Sequence, residues 1–312
     1  MIPESADAPS GPGSLPDPPP RLRVGVIGVG RAGAALGGAL RRAGHPVVAA
    51  HAISDVSRLR AEALLPGTPV VTIPEVFAAA DLVLVTVPDD VLVDLVAGCV
   101  AARSVRPGQL IMHASGRYGV QALDAATGIG AQPLALHPAM TLTGTSVDLQ
   151  RLDGCPFAVT SADQVRPIAE ALVVEMGGEP IWVPEAARAR YHAALAHGSN
   201  HLVTLVADAI DLLRISGVGE PERLIAPLLS ASLDNVLGSG DAALTGPVSR
   251  GDTTTVAAHL DSLATADVGV RDSYRAMARR TAQRARASGR LNPEQATMMM
   301  ALLDGFEEPE GA

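Results

Sequence analysis

The chain has 312 residues, enough for two domains of ordinary size; 47% are hydrophobic but only 2% aromatic, so Ala, Val and Leu must build the cores. A formal net charge of −9 argues against a generic nucleic-acid binder, and because all 24 basic residues are Arg, a lysine Schiff base, a Walker-type phosphate loop and a lysine general acid are excluded. Two cysteines, Cys99 and Cys155, are too few for a disulfide scaffold or a four-thiolate zinc site and suit a reducing cytoplasm.

In chain order, residues 1–20 are rich in Pro, Gly and Ser and read as a disordered tail, with neither the basic start nor the apolar run of a signal peptide. No apolar stretch is long enough for a membrane span. Arg23 to Gly28 reads as a buried strand, Ala32 to Ala43 as a helix stopped by Gly44, Val47 to His51 as a second strand and Ile53 to Leu65 as a helix. Short strands follow at Val70 to Ile73 and Asp81 to Val87, the latter ended by Pro88. Asp89 to Val100 is a helix with acids in its first turn; Gln109 to His113, Pro133 to His137 and Phe157 to Val159 are further strands. This alternation predicts an α/β domain with a parallel sheet over residues 21–160, and residues 161–184 read as a connecting segment. Residues 185–305 read as all-helical, with helices at Glu185–Ser216, Glu222–Leu237, Thr253–Ala264, Val270–Ala287 and Pro293–Leu303; residues 306–312 form a tail.

Gly28-Val29-Gly30-Arg31-Ala32-Gly33 matches G-x-G-x-x-G between a strand and a helix, the context that a dinucleotide-binding turn requires. The first Gly permits the turn, the second lets a pyrophosphate approach the backbone, and the third brings helix and strand together; free N–H groups at the helix start face the phosphates. The second strand runs into Ala52, Ile53 and Ser54 with no acid at its end, where NAD binders usually hold the ribose hydroxyls. Ser54, Ser57 and Arg58 offer donors for a 2′-phosphate, so NADP(H) is expected in preference to NAD(H). Val87, Pro88, Asp89, His113, Ser115 and His137 all lie at strand ends on the carboxyl edge, where open α/β sheets bind ligands.

The first long helix carries Tyr191, His192, His197, Ser199, Asn200 and His201 in an otherwise apolar context. His197 and His201 are spaced i, i+4, but no Glu follows His197, and no metal site is expected. Thr245 to Asp252 reads as a polar turn in which Asp252 caps the next helix and Arg250 suits a carboxylate.

These segments, with Thr86-Val87-Pro88-Asp89-Asp90, His113-Ala114-Ser115-Gly116, Leu136-His137-Pro138 and Leu244 to Asp252, resemble the Rossmann-like proteins that carry an all-helical C-terminal domain of unknown function. That group belongs to the 6-phosphogluconate-dehydrogenase-like proteins, with ketopantoate and pyrroline-5-carboxylate reductases. The resemblance covers residues 21 to about 305 and implies a cytoplasmic, NADPH-dependent oxidoreductase, homodimeric through its helical domains. By the spacing of ketopantoate reductases, His192 stands where their Lys would be, Asn200 matches the second of two Asn residues, and Ala196 replaces the first. The reading that follows is reduction of a small 2-oxo acid, ketopantoate first, with NADPH across the carboxyl edge and nicotinamide towards an interdomain cleft. His192 would act as proton donor, Ser199 and Asn200 would orient the substrate, and Arg250 would hold its carboxylate. The alternatives are an imine reductase of the pyrroline-5-carboxylate type and a non-catalytic NADP-binding sensor or assembly protein.

Overall fold

A computed structural model describes residues 21–305; the tails expected at 1–20 and 306–312 lie outside the described residues. The described residues form two compact units that divide between Leu195 and Ala196.

The first unit is built on a seven-stranded sheet in the order β2-β1-β3-β4-β5-β6-β7. Its elements are β1 (Val24–Ile27), α1 (Arg31–Arg42), β2 (Val47–His51), α2 (Asp55–Leu64), α3 (Ile73–Ala79), β3 (Leu82–Val85) and α4 (Asp89–Ala101). They continue with β4 (Leu110–His113), α5 (Asp124–Thr127), β5 (Gln132–Pro138), α6 (Val147–Arg151), β6 (Pro156–Ser161), α7 (Arg166–Glu175), β7 (Glu179–Trp182) and α8 (Arg188–Leu195). Strands β1 to β5 pair in parallel, and their apolar runs bury both faces, as expected where helices cover a sheet on both sides. Leu82 and Leu84 of β3 join the core with Leu36 and Leu40 of α1, while Val83 and Val85 face Phe77 of α3 and Leu92 of α4.

Three expectations for this unit are corrected. The strand at Val70–Ile73 shrinks to a single parallel bridge between Ala50 and Val70, because Ile73 already opens α3. The signal was Thr72-x-x-Glu75: the Glu75 carboxylate accepts from the Thr72 N–H (2.8 Å) and hydroxyl (2.6 Å), and Pro74 sits in the first turn. The sheet is not wholly parallel either, since β6 runs antiparallel to β5. Nor is 161–184 a bare connector: it carries α7 and β7, which pairs in parallel with β6. As an edge strand, Glu179-Pro180-Ile181-Trp182 lacks the continuous apolar run that marks β1 and β3.

The second unit is helical, with α9 (His201–Ile215), α10 (Pro221–Ser239), α11 (Gly246–Arg250), α12 (Thr253–Leu263), α13 (Val268–Ala287) and α14 (Pro293–Asp304). The single helix expected over Glu185–Ser216 is divided: a 3₁₀ turn at Glu185–Ala187, then α8, then a π-helical turn at Ala196–Asn200 containing Gly198, then α9. The polar turn expected at Thr245–Asp252 contains the short helix α11, stopped by Gly251 in the left-handed region (φ 73°). Asp252 does cap α12, accepting from Thr255 N–H at 3.0 Å. Val256, Leu260, Ala282, Met299 and Leu303 form the core of α11 to α14. By contrast α9 buries no residue and α10 buries only Pro221. Among the described residues no helix is long and apolar enough to cross a membrane.

Candidate nucleotide and active site

The turn after β1 has the geometry that its motif demands. Gly28 sits at φ +87°, and a Cβ there would meet the Thr86 carbonyl oxygen at 2.7 Å. A Cβ at Gly33 would lie 2.2 Å from the Gly28 carbonyl oxygen and 2.3 Å from Thr86 Oγ1, so residue 33 must be glycine for α1 to approach the turn. Thr86 fixes the arrangement by donating its hydroxyl to the Gly28 carbonyl at 2.7 Å. Gly30 is the contrast: nothing lies within 4 Å of a Cβ there, and no side chain caps the α1 N-terminus. Open space thus adjoins unsatisfied helix N–H groups, the requirement for a diphosphate. Val29 points the other way, fully buried in the core, leaving only its backbone for a nucleotide.

Ala32, Val87, Asp89 and Ser115 are brought together with Thr86 and His113 around a cleft of about 80 Å³ beside this turn. Pro88 caps α4 immediately before Asp89. At the end of β2, Ser54 Oγ accepts from Ser57 N–H (3.2 Å), and Ser57 Oγ donates to the Ser54 carbonyl (2.7 Å), so both hydroxyls serve the start of α2. Arg58 is exposed beside them.

A second group of polar residues stands at the ends of β4 and β5. Three points along one face of the segment 185–192 tie it to the sheet unit. The Glu185 carboxylate accepts from Val120 N–H at 2.8 Å. Arg188, only 1% exposed, donates Nε to Thr160 Oγ1 (2.8 Å) and Nη2 to the carbonyls of Ala135 (2.8 Å) and Ala158 (3.0 Å), with Nη1 3.4 Å from the Ser115 carbonyl. Tyr191 Oη shares a 2.9 Å hydrogen bond with His137 Nδ1. His192 thereby arrives beside Gly116: a Cβ at 116 would come within 2.7 Å of His192 Cδ2 and 2.9 Å of His137 Nε2. The His137 and His192 rings meet edge to face at 6.3 Å.

Arg188 is a buried cation held by neutral oxygens. Burial pushes its pKa down to about 10, still far above neutrality, so it remains charged at pH 7. Burial, with Arg188 as a further cause, lowers both His113 and His137 to about 4. Both rings are therefore neutral near pH 7. His113 is structural: its Nδ1 accepts from Ser115 N–H (3.2 Å), which leaves Nε2 to donate to the Gly119 carbonyl (2.9 Å). Arg188 was missed by sequence reasoning, and Tyr191 was noted in the polar line of its helix without a role. Arg188 and Arg190 look alike in the sequence, but only the first is buried.

In the second unit, Ser199 and Asn200 are exposed on the π-helical turn. Arg250 lines a concavity of about 380 Å³ with Leu244, Thr245, Ser249 and Arg290. His197 and His201 approach through their Nδ1 atoms (3.0 Å) as an exposed pair. Among the described residues, no group of three or more potential ligands is placed to hold a metal.

The turn, the parallel strands and the helical second unit define a Rossmann-type two-domain protein. Residues 8–138 match the Rossmann-like domain and residues 155–281 match the domain of unknown function DUF2520; the chain joins the two. No curated protein matches it. Among solved structures it is similar to a Bacteroides fragilis protein assigned as an NADP oxidoreductase (21% identity, TM-score 0.69, covering 84% of this chain and 98% of that one). It is also similar to a reductive aminase from Aspergillus terreus in complex with NADPH and ethyl levulinate (17%, TM-score 0.60, 92% and 100%). A third is Plasmodium falciparum pyrroline carboxylate reductase with NADP bound (14%, TM-score 0.55, 90% and 98%). At these identities the likeness speaks for the fold.

Proposed function

We propose that the protein is a cytoplasmic NADPH-dependent oxidoreductase that reduces a small 2-oxo acid, ketopantoate being the first candidate. The observation that carries the nucleotide part is the tight Gly28–Gly33 contact beside the open face of Gly30. Bound NADPH supplies a hydride to the substrate carbon. What this chain supplies is the phosphate turn, the cleft of Ala32, Val87, Asp89 and Ser115, and a proton donor. His192, resting against Gly116, takes the donor role, and neutral His137 orients the neighbouring Tyr191 hydroxyl. In the second unit, Arg250 suits a carboxylate, and Ser199 and Asn200 suit substrate hydrogen bonds. The similarity to a pyrroline carboxylate reductase and a reductive aminase favours, as second reading, a C=N rather than a C=O substrate.

NADPH oxidation by the purified protein, with ketopantoate and pyrroline-5-carboxylate in parallel and NADH as the coenzyme control, tests both. Turnover with ketopantoate and NADPH supports the first reading; turnover with the imine alone replaces it with the second. NADPH binding without turnover of either removes both substrates. With the active substrate, His192→Ala should lower kcat by about 100-fold or more. Full turnover in that variant ends the proton-donor role.

The bare faces of α9 and α10 support a homodimer. Val203, Ile215, Leu228 and Leu237 are 70%, 82%, 66% and 78% exposed, an apolar surface of the kind that self-association covers. The occupant proposed is a second copy of the same helices. Leu224→Glu/Leu228→Glu should turn a dimer into a monomer in sedimentation velocity; a wild-type chain that sediments as a monomer at micromolar concentration refutes the assignment.

A further inference from the structure

The loop after β5 folds back onto the start of α1 and onto the Arg60 side chain of α2. Asp148, fully buried at the start of α6, organises this loop: its carboxylate accepts from Thr143 N–H (2.9 Å), Gly144 N–H (2.6 Å) and Thr143 Oγ1 (2.8 Å). Burial by itself would raise the Asp148 pKa, but these hydrogen bonds outweigh it and hold the group below the ordinary carboxylate range. The anchored loop presents Gly144 at φ +77° to α1 and α2. A Cβ there would lie 2.7 Å from Arg60 Nε and 3.0 Å from Arg31 Cα. Gly144 thus packs against both the Arg60 side chain and the first residue of α1, beside the phosphate turn. Asp148 is engaged by the loop, and among the described residues neither Arg31 nor Arg60 has an acidic partner.

A half-buried guanidinium without a carboxylate partner is left to pair with an anion that approaches from solution. Arg60 comes from α2, which follows directly from β2, and the carboxyl end of β2 is where this fold places the adenosine ribose. That strand end offers Ala52 and Ile53, not an acid that would select a free 2′-hydroxyl. We propose that Arg60, wedged against Gly144 beside Arg31, grips the 2′-phosphate and sets the preference for NADPH over NADH. Arg58, the candidate from sequence, is exposed, whereas Arg60 is half-buried and held in place.

This inference rests on the nucleotide-binding reading, and titration of the full-length chain with NADPH and NADH, followed by nucleotide fluorescence, separates the two. Arg60→Ala should weaken NADPH about 10- to 100-fold while leaving NADH within about 3-fold, and Arg60→Lys should restore part of the preference. An equal loss for both coenzymes, or a larger loss of preference in Arg58→Ala than in Arg60→Ala, overturns the Arg60 assignment and leaves the nucleotide reading standing. A wild-type chain that binds neither coenzyme overturns the nucleotide reading, and Arg60 with it. Thermal melts of each variant without nucleotide identify any loss that comes from misfolding.

Discussion

Gly33→Ala should abolish NADPH binding by the purified protein, with an increase in Kd of about 100-fold or more. The added methyl would stand 2.2 Å from the Gly28 carbonyl oxygen and 2.3 Å from Thr86 Oγ1. Those two atoms already share a hydrogen bond of 2.7 Å, so neither can withdraw without breaking it. Either α1 moves off the sheet or the turn opens, and both displace the N–H groups aimed at the diphosphate. Overpacking of this kind costs about 1–3 kcal/mol, so the apo protein should also melt earlier. Gly30→Ala separates the two effects. Nothing lies within 4 Å of its Cβ, so the apo melting temperature should stay at the wild-type value. The methyl would nevertheless occupy the space left for a phosphate, and NADPH binding should weaken. Wild-type NADPH affinity in Gly33→Ala, measured by isothermal titration, would sink the assignment of this turn.

The nucleotide turn was legible in the sequence because its chemistry is local. Three glycines at fixed spacing, an apolar strand before them and a small-residue helix after them lie within twenty residues. The central strands were legible for a related reason: Leu82-Val83-Leu84-Val85 is buried on both faces, and such a run has few other uses. Strand β7 was not legible, because Glu179 and Ile181 of an edge strand face solvent and Pro180 interrupts the pattern. The antiparallel return of β6 leaves no mark in either strand, since direction is set by the connection rather than by side-chain alternation. Of the second polar group, His192, His137 and Ser115 stood out by residue type and position. Their arrangement depends on Arg188 and Glu185, whose partners are 28 to 73 and 64 to 65 residues away in sequence. Contacts over such separations carry no periodic signal. The contact that sets Arg60 apart from Arg58 is with Gly144, far along the chain on another loop, and it leaves no local mark in the sequence.

Arg188→Ala should cost about 2–5 kcal/mol of stability, read from urea midpoints at pH 7. The variant leaves a cavity where a fully buried side chain stood, and it removes the donors to Thr160 Oγ1 and to the Ala135 and Ala158 carbonyls. Arg188→Met fills most of the volume but supplies no donor and no charge, so it should recover only part of the loss. The charge has its own readout. Burial is the main cause of the low His137 pKa, and the Arg188 guanidinium is the next; in Arg188→Met the value should rise from about 4 towards the ordinary 6.5 while staying below it. A histidine with a depressed pKa stabilises the fold fully above pH 6.5. That stability is lost as pH falls towards 4, because the unfolded chain takes up the proton first. The methionine variant should therefore lose less stability than wild type between pH 6.5 and 4, and the His137 ring should titrate at higher pH by NMR. Once protonated, His137 can no longer accept the Tyr191 hydroxyl at Nδ1, and the contact that seats Tyr191 and His192 beside Gly116 weakens. An unchanged His137 titration in Arg188→Met would mean that burial alone keeps the ring neutral and that Arg188 acts only as a strut.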